Sequence, residues 1–130
     1  MVNIPITLDR SKQLRLFYTA VTPPKRNVRF DRRLGVPDYL YRVGNYVVAN
    51  ANIVDAETGA GLADKPVWIT ITRGMEDILH ELDTSRAPDG WIIKQKSDTR
   101  ANGYSVTFSF PGDEQYNPLN VSYSKVLPGA

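Results

Sequence analysis

His80 is the only histidine in this chain of 130 residues, so any general base or Ser-His-Asp arrangement working at neutral pH has to be built around it. It sits in Ile78-Leu79-His80-Glu81-Leu82 beside no recognisable partner motif, which predicts a structural histidine at or near the surface. Three carboxylate pairs, Asp55/Glu57, Glu76/Asp77 and Asp113/Glu114, have the residue types used in glycoside hydrolysis or calcium binding. None lies in a calcium-loop pattern, and neighbouring carboxylates in turns ordinarily face water. There is no cysteine, which excludes thiol catalysis and a cysteine-based zinc site. Phosphate-cradling glycine motifs are absent too. The expectation is a protein without catalytic residues, metal ligands or cofactor.

The residues that promise binding instead lie early in the chain. Arg29, Phe30, Arg32 and Arg33 set guanidinium groups beside an aromatic ring, with Tyr39 and Tyr41 close behind. Arginine and tyrosine join large contact area to directed hydrogen bonds, the combination found where subunits meet. Up to Arg42 there are nine basic and three acidic residues, a local charge of +6 on a chain whose net charge is +2. The remainder is therefore acidic, and a basic segment of one copy can seek the acidic body of another. Nucleic acid is the rival partner, since Lys25–Arg33 can neutralise phosphates and Phe30, Tyr39 or Tyr41 can stack on bases. The small net charge and the absence of a nucleic-acid fold motif argue against it. Trp68, Trp91 and the seven tyrosines leave carbohydrate binding as a further alternative.

Strands must position these groups. Val47–Ile71 reads as two strands joined by an acidic, glycine-containing loop. Val47, Ala49, Ala51 and Ile53 alternate with Asn50 and Asn52, and Val67, Ile69 and Ile71 alternate with Trp68, Thr70 and Thr72, so each strand is expected to bury one face. Gly103–Phe110 repeats the pattern most clearly, with Tyr104, Val106, Phe108 and Phe110 opposite Ser105, Thr107 and Ser109. Trp91–Gln95 and Leu119–Leu127 are further strands, the last turning Leu119, Val121 and Tyr123 inward. Arg73–Asp83 fits a short helix or a strand, and a strand or irregular crossing is preferred because nine residues make a marginal isolated helix. Earlier, Ile4–Leu8 and Leu14–Val21 alternate as well, with Ile4 and Ile6 apolar and Phe17 standing on an otherwise polar face. Thr22–Asp38 is expected to be a long connection or arm, opened by the extended Pro23-Pro24 pair.

These strands, at near-regular spacing with turn residues between them, predict an antiparallel sandwich. The stretches Val47–Ile71, Asp89-Gly90 and Asn102–Pro118 together resemble the immunoglobulin-like (Big-type) domains of bacterial and archaeal surface and phage proteins. The resemblance rests on Asp55, Thr58, Gly59, Leu62, Lys65, Val67, Gly90, Gly103, Tyr104, Phe110, Gly112, Asp113 and Tyr116. It covers Leu40–Leu127 and implies an all-β, immunoglobulin-like antiparallel β-sandwich. Tyr116 would fold its ring over one end of the sandwich, its hydroxyl finding a backbone partner as in a tyrosine corner.

The expected organisation is thus an N-terminal region of strands and basic arm, residues 1–39, ahead of a sandwich, residues 40–130. The expected role is that of a non-enzymatic structural subunit of an ordered assembly, a virion component before a surface filament, with adhesion or glycan binding as the alternative. Subunit contacts are assigned to Ile4, Ile6, Phe17, Arg29, Phe30, Arg32, Arg33, Tyr39 and Tyr41. The partners expected are further copies or other structural proteins. Neither a secretory signal nor an apolar run of about 18 residues is present, so no membrane span is expected.

Overall fold

The structure, a computed structural model, describes residues 24–130. Ile4, Ile6 and Phe17, with the strands expected at Ile4–Leu8 and Leu14–Val21, lie outside the described residues. The described chain is all β: β1 (Val28–Asp31), β2 (Leu40–Val43), β3 (Tyr46–Asp55), β4 (Pro66–Arg73), β5 (Glu76–Thr84), β6 (Trp91–Ser97), β7 (Asn102–Phe110) and β8 (Leu119–Leu127). No helix among the described residues is long and apolar enough to cross a membrane.

Two antiparallel sheets face each other. In the first, β3 is central. β6 pairs along one of its edges from Tyr46↔Ser97 to Asn52↔Trp91. β1 and β2 follow one another along the other edge, Val28↔Asp55 to Asp31↔Asn52 and then Leu40↔Ala49 to Val43↔Tyr46. Between them the Arg32–Tyr39 loop leaves the ladder opposite Asn50 and Ala51, and rejoins it where the Asn50 N–H donates to the Tyr39 carbonyl at 3.0 Å. The second sheet has the order β5-β4-β7-β8. A bulge between Ile71 and Thr72 interrupts the β4–β5 register.

The inward rows interlock as the alternation predicts. Val47, Ala49, Ala51 and Ile53 of β3 meet Val67, Ile69, Ile71, Val106, Phe108 and Phe110 of the second sheet, all fully buried. Burying each of the larger aliphatic side chains contributes about 1.5–3 kcal/mol. The Phe30 ring stacks on Phe108 across the sandwich, with centroids 5.5 Å apart.

Two expectations change. Val28–Asp31, expected inside the Thr22–Asp38 connection, is a strand of the first sheet, so the division expected at residue 39/40 falls within that sheet. Its Val28 and Phe30 alternate with Arg29 and Asp31, too short a run for periodicity to stand out against the surrounding charge. The second concerns β3, which is buried on both faces: Asn50 is 1% exposed and donates from Nδ2 to the Tyr41 hydroxyl at 2.8 Å. The strand preferred for Arg73–Asp83 is found, at Glu76–Thr84.

Glycine decides how the connecting loops cross. A side chain on Gly90 would place Cβ 2.1 Å from the Ile53 carbonyl, and one on Gly61 would meet the Pro88 carbonyl at 2.3 Å. The Asp55–Lys65 and Ser85–Gly90 segments therefore touch backbone to backbone, tied to β3 by Ile53 N–H to Gly90 O (2.9 Å) and Leu62 N–H to Ile53 O (3.0 Å). Gly59 has positive φ, whereas Gly61 is required for close approach.

Candidate interaction surfaces

Asp55 ends β3 at the mouth of an acidic loop, and its carboxylate is fully engaged. It accepts two hydrogen bonds from the Arg26 guanidinium (2.7 and 3.0 Å), the backbone N–H groups of Glu57 (2.8 Å) and Thr58 (3.1 Å), and the Tyr116 hydroxyl (2.9 Å). Tyr116 thus does close one end of the sandwich, but through a carboxylate rather than the backbone group expected of a tyrosine corner. Beside it Lys65 reaches Asp113 at 2.6 Å, and Asp113 caps the turn by accepting from the N–H groups of Gln115 and Tyr116. These carboxylates hold turns. Among the described residues no group of three metal-ligating side chains converges.

The electrostatic consequence is acid lability. Hydrogen bonding from Arg26 is the foremost cause that holds the Asp55 carboxyl far below its usual range; burial opposes it, while the Glu57 and Thr58 amides and the Tyr116 hydroxyl add to it. For Asp113, burial alone would raise the carboxyl, but Lys65 and the turn amides outweigh it and leave it lowered. A carboxyl lowered in the folded state keeps its full stabilisation above its unfolded value and loses it as pH falls through the folded one. Stability should therefore be level above about pH 5 and fall steeply below about pH 4. Urea midpoints measured from pH 7 to pH 2 check this, with Asp55→Asn expected to be less stable at pH 7 and to show a shallower acid limb. An unchanged limb would remove Asp55 from the acid response.

The expected contact residues scatter once folded. Arg29 is exposed but chelated by Asp31 (2.6 and 3.0 Å). Phe30, expected at a subunit contact, is a core residue 4% exposed. Arg32 is exposed, whereas Arg33 is pinned by Asp89 at 2.7 Å and lies 4.2 Å from the centroid of the Trp91 ring. Tyr39 is half-buried, stacked at 3.9 Å on Tyr123 of β8, and its hydroxyl donates to the Phe30 carbonyl. Tyr41 is half-buried against Asn50. Of this stretch, Phe30 is withdrawn into the core while Arg29 and Arg33 are engaged by carboxylates of the same chain.

The two tryptophans also part company. Arg86 joins Arg33 over the Trp91 ring, 5.5 Å from its centroid, and the Trp91 Nε1–H is buried with no partner among the described residues. Trp68 stands 40% exposed on the outer face of the second sheet, stacked on His80 at 4.8 Å, and His80 Nδ1 is 2.8 Å from the Thr70 hydroxyl. His80 is thereby placed in a structural contact on that face.

Residues that spacing left unremarked include the buried Arg73–Asp98 ion pair, whose partners are 25 positions apart. Arg26 and Asp55 are 29 apart, and Tyr116 and Asp55 are 61 apart. The threonines of β4 and the alternating serines and threonines of β7 hinted at a polar outer face. Compared with protein-family models, with curated proteins and with solved structures, the chain finds no match.

Proposed function

We propose that the protein is a non-enzymatic structural subunit of an ordered assembly, a virion component before a surface filament, built on an immunoglobulin-like sandwich. Its N-terminal extension would supply the contact by adding a strand to a neighbouring copy. The observation that carries this reading is the margin of the sandwich at β8. Leu119, Val121 and Tyr123 turn inward yet are only half-buried, although their β7 partners Phe110, Phe108 and Val106 are fully buried. The outer edge of β8 has no strand partner among the described residues. A strand laid there would cover apolar surface and satisfy the exposed backbone groups together.

The path of the chain supports the same edge. The Arg26 N–H donates to the Gln115 carbonyl at 2.9 Å and the Asn117 N–H donates to the Arg26 carbonyl at 2.8 Å, a parallel bridge just before β8 begins. Arg26 is thereby anchored beside Tyr116, shortly before β8 begins, and the alternating Leu14–Val21 stretch of the sequence has nearly the length of that nine-residue strand.

Light scattering after size exclusion, across protein and salt concentration, tests it. The full chain is expected to form defined oligomers, and the chain beginning at Pro24 to be a monomer that still unfolds cooperatively. The cut belongs at Pro24 because one at Leu40 would remove β1, Phe30 and Arg26. Monomers from both chains, or equal assembly by both, would overturn the reading.

A further inference from the structure

A second surface, built from described residues alone, lies on the outer face of the second sheet. Register sets its residues in rows across four strands: Leu82, Trp68, Ser109 and Asn120 in one, His80, Thr70, Thr107 and Ser122 in the next. A third row carries Thr72, Ser105 and Ser124, with Asp77 at its β5 end. The hydroxyls are tied sideways, Thr107 to Ser122 at 2.8 Å and Ser109 to the Asn120 carbonyl oxygen at 2.6 Å. A hydroxyl has one donor and two acceptor sites, so each keeps hydrogen-bonding capacity toward solvent after its sideways bond is made.

We propose that this face binds a neutral saccharide, with Trp68 as the stacking platform and the hydroxyl rows as the polar contacts. The indole has a negative π face suited to the weakly positive C–H groups on one side of a sugar ring. Its stack on His80, itself held by Thr70, restrains the ring before a ligand arrives and reduces the ordering cost of binding. Toward the opposite end of β4, where Gly74 and Gly103 carry no side chain, a shallow hollow of about 360 Å³ opens between Ser105, Ser124 and Val126. From Trp68 to Gly74 the face extends about 20 Å at the rise of a β-strand, the reach of a short oligosaccharide.

Charge and polarity select this occupant. The three rows contain no lysine or arginine and one carboxylate at the margin, so a phosphate or sulfate group would meet no guanidinium or ammonium there. Lys125, at the rim of the hollow, turns its ammonium to Asp38 at 3.1 Å. A protein partner would need a contiguous apolar centre, whereas Trp68 and Leu82 lie at one corner and Val126 at the far end, with hydroxyls, the Asn120 amide, His80 and Asp77 in the rows between and around them. Ligand hydroxyls can replace surface waters and reproduce their bonds to the serine and threonine rows.

The test uses the full chain in native affinity gels containing neutral soluble polysaccharides (a β-glucan, a mannan, a galactan and a xylan), with heparin as the charged control. At least one neutral polymer is expected to retard the protein and heparin is not. Titration with a tetrasaccharide of the retarding polymer should show Trp68→Ala weakening binding by more than tenfold. Thr107→Glu, which sets a charge at the centre of the face, should weaken it as strongly and stands in should Trp68→Ala perturb folding. Tyr46→Ala, exposed on β3 of the other sheet, should bind as the parent does. No retardation by any neutral polymer, retardation by heparin alone, or binding unchanged in both face variants would overturn the proposal.

Discussion

Replacing Phe108 by alanine is expected to cost about 3–5 kcal/mol, a large part of the stability of a domain this size. Phe108 is fully buried and touches both halves of the sandwich: its ring stacks on Phe30 at 5.5 Å and lies 6.5 Å from Tyr39 and 6.3 Å from Tyr123. Its strand, β7, is hydrogen-bonded to β4 on one edge and to β8 on the other, so the backbone cannot sink into the space left behind. A cavity that cannot collapse costs the lost transfer energy and the lost packing contacts together. Urea unfolding should show a much lower midpoint with the slope unchanged, and Phe108→Leu a smaller loss. A loss under about 1 kcal/mol would mean that the two sheets do not close on this ring.

The second large effect is expected at Arg73 and Asp98, the most deeply buried ion pair described. Both are less than one-tenth exposed; Asp98 also accepts the Arg100 N–H at 3.1 Å, and Arg73 reaches Glu76 at 2.6 Å. Asp98→Ala leaves a guanidinium in the interior without that partner, and Arg73→Ala strands a carboxylate there, so each single change should cost about 3–5 kcal/mol. The pair Arg73→Met with Asp98→Leu removes both charges and should cost well below the sum of the single losses, because the penalty belongs to the uncompensated charge. A double-mutant cycle from urea unfolding at pH 7 reads this directly, and additive losses would show that the two side chains do not act as a pair.

The pair also contributes to the acid limb. Burial by itself would raise the Asp98 carboxyl, but hydrogen bonds from the Arg100 amide and the Arg73 guanidinium outweigh burial and leave it lowered. Its contribution is complete above the ordinary carboxylate value and is lost as pH falls below it. Asp98→Ala should therefore flatten the limb below about pH 4 while lowering stability at pH 7.

Both predictions rest on positions whose legibility in the sequence differs. The inward place of Phe108 could be read from Tyr104–Phe110, where four aromatic or aliphatic residues alternate with serines and threonines. The Arg73–Asp98 contact could not, since Asp98 stands in a polar turn between strands and nothing in Ser97–Asn102 separates a buried aspartate from an exposed one. The candidate surfaces divide in the same way. Trp68 and Trp91 carry equal weight as sequence, yet two arginines crowd one ring and leave the other beside open hydroxyl rows. Arg29, Phe30, Arg32 and Arg33 look like one contact patch along the chain, but a strand sends alternate residues to opposite faces, so Phe30 enters the core while its neighbours reach outward or sideways.

The sequence by itself determined the β class, the inward rows of β3, β4 and β7, and the turns between them, because alternation with period two is a local property of an extended chain with a buried face. Only the tertiary structure decided that β1 belongs to the first sheet, that Asn50 is buried, that Tyr116 closes on Asp55, and that β8 is the last strand of its sheet among the described residues. Each of those depends on which distant strands meet and in what register. That choice is made by the summed burial and hydrogen bonding of the two sheets, not by any stretch of residues taken alone.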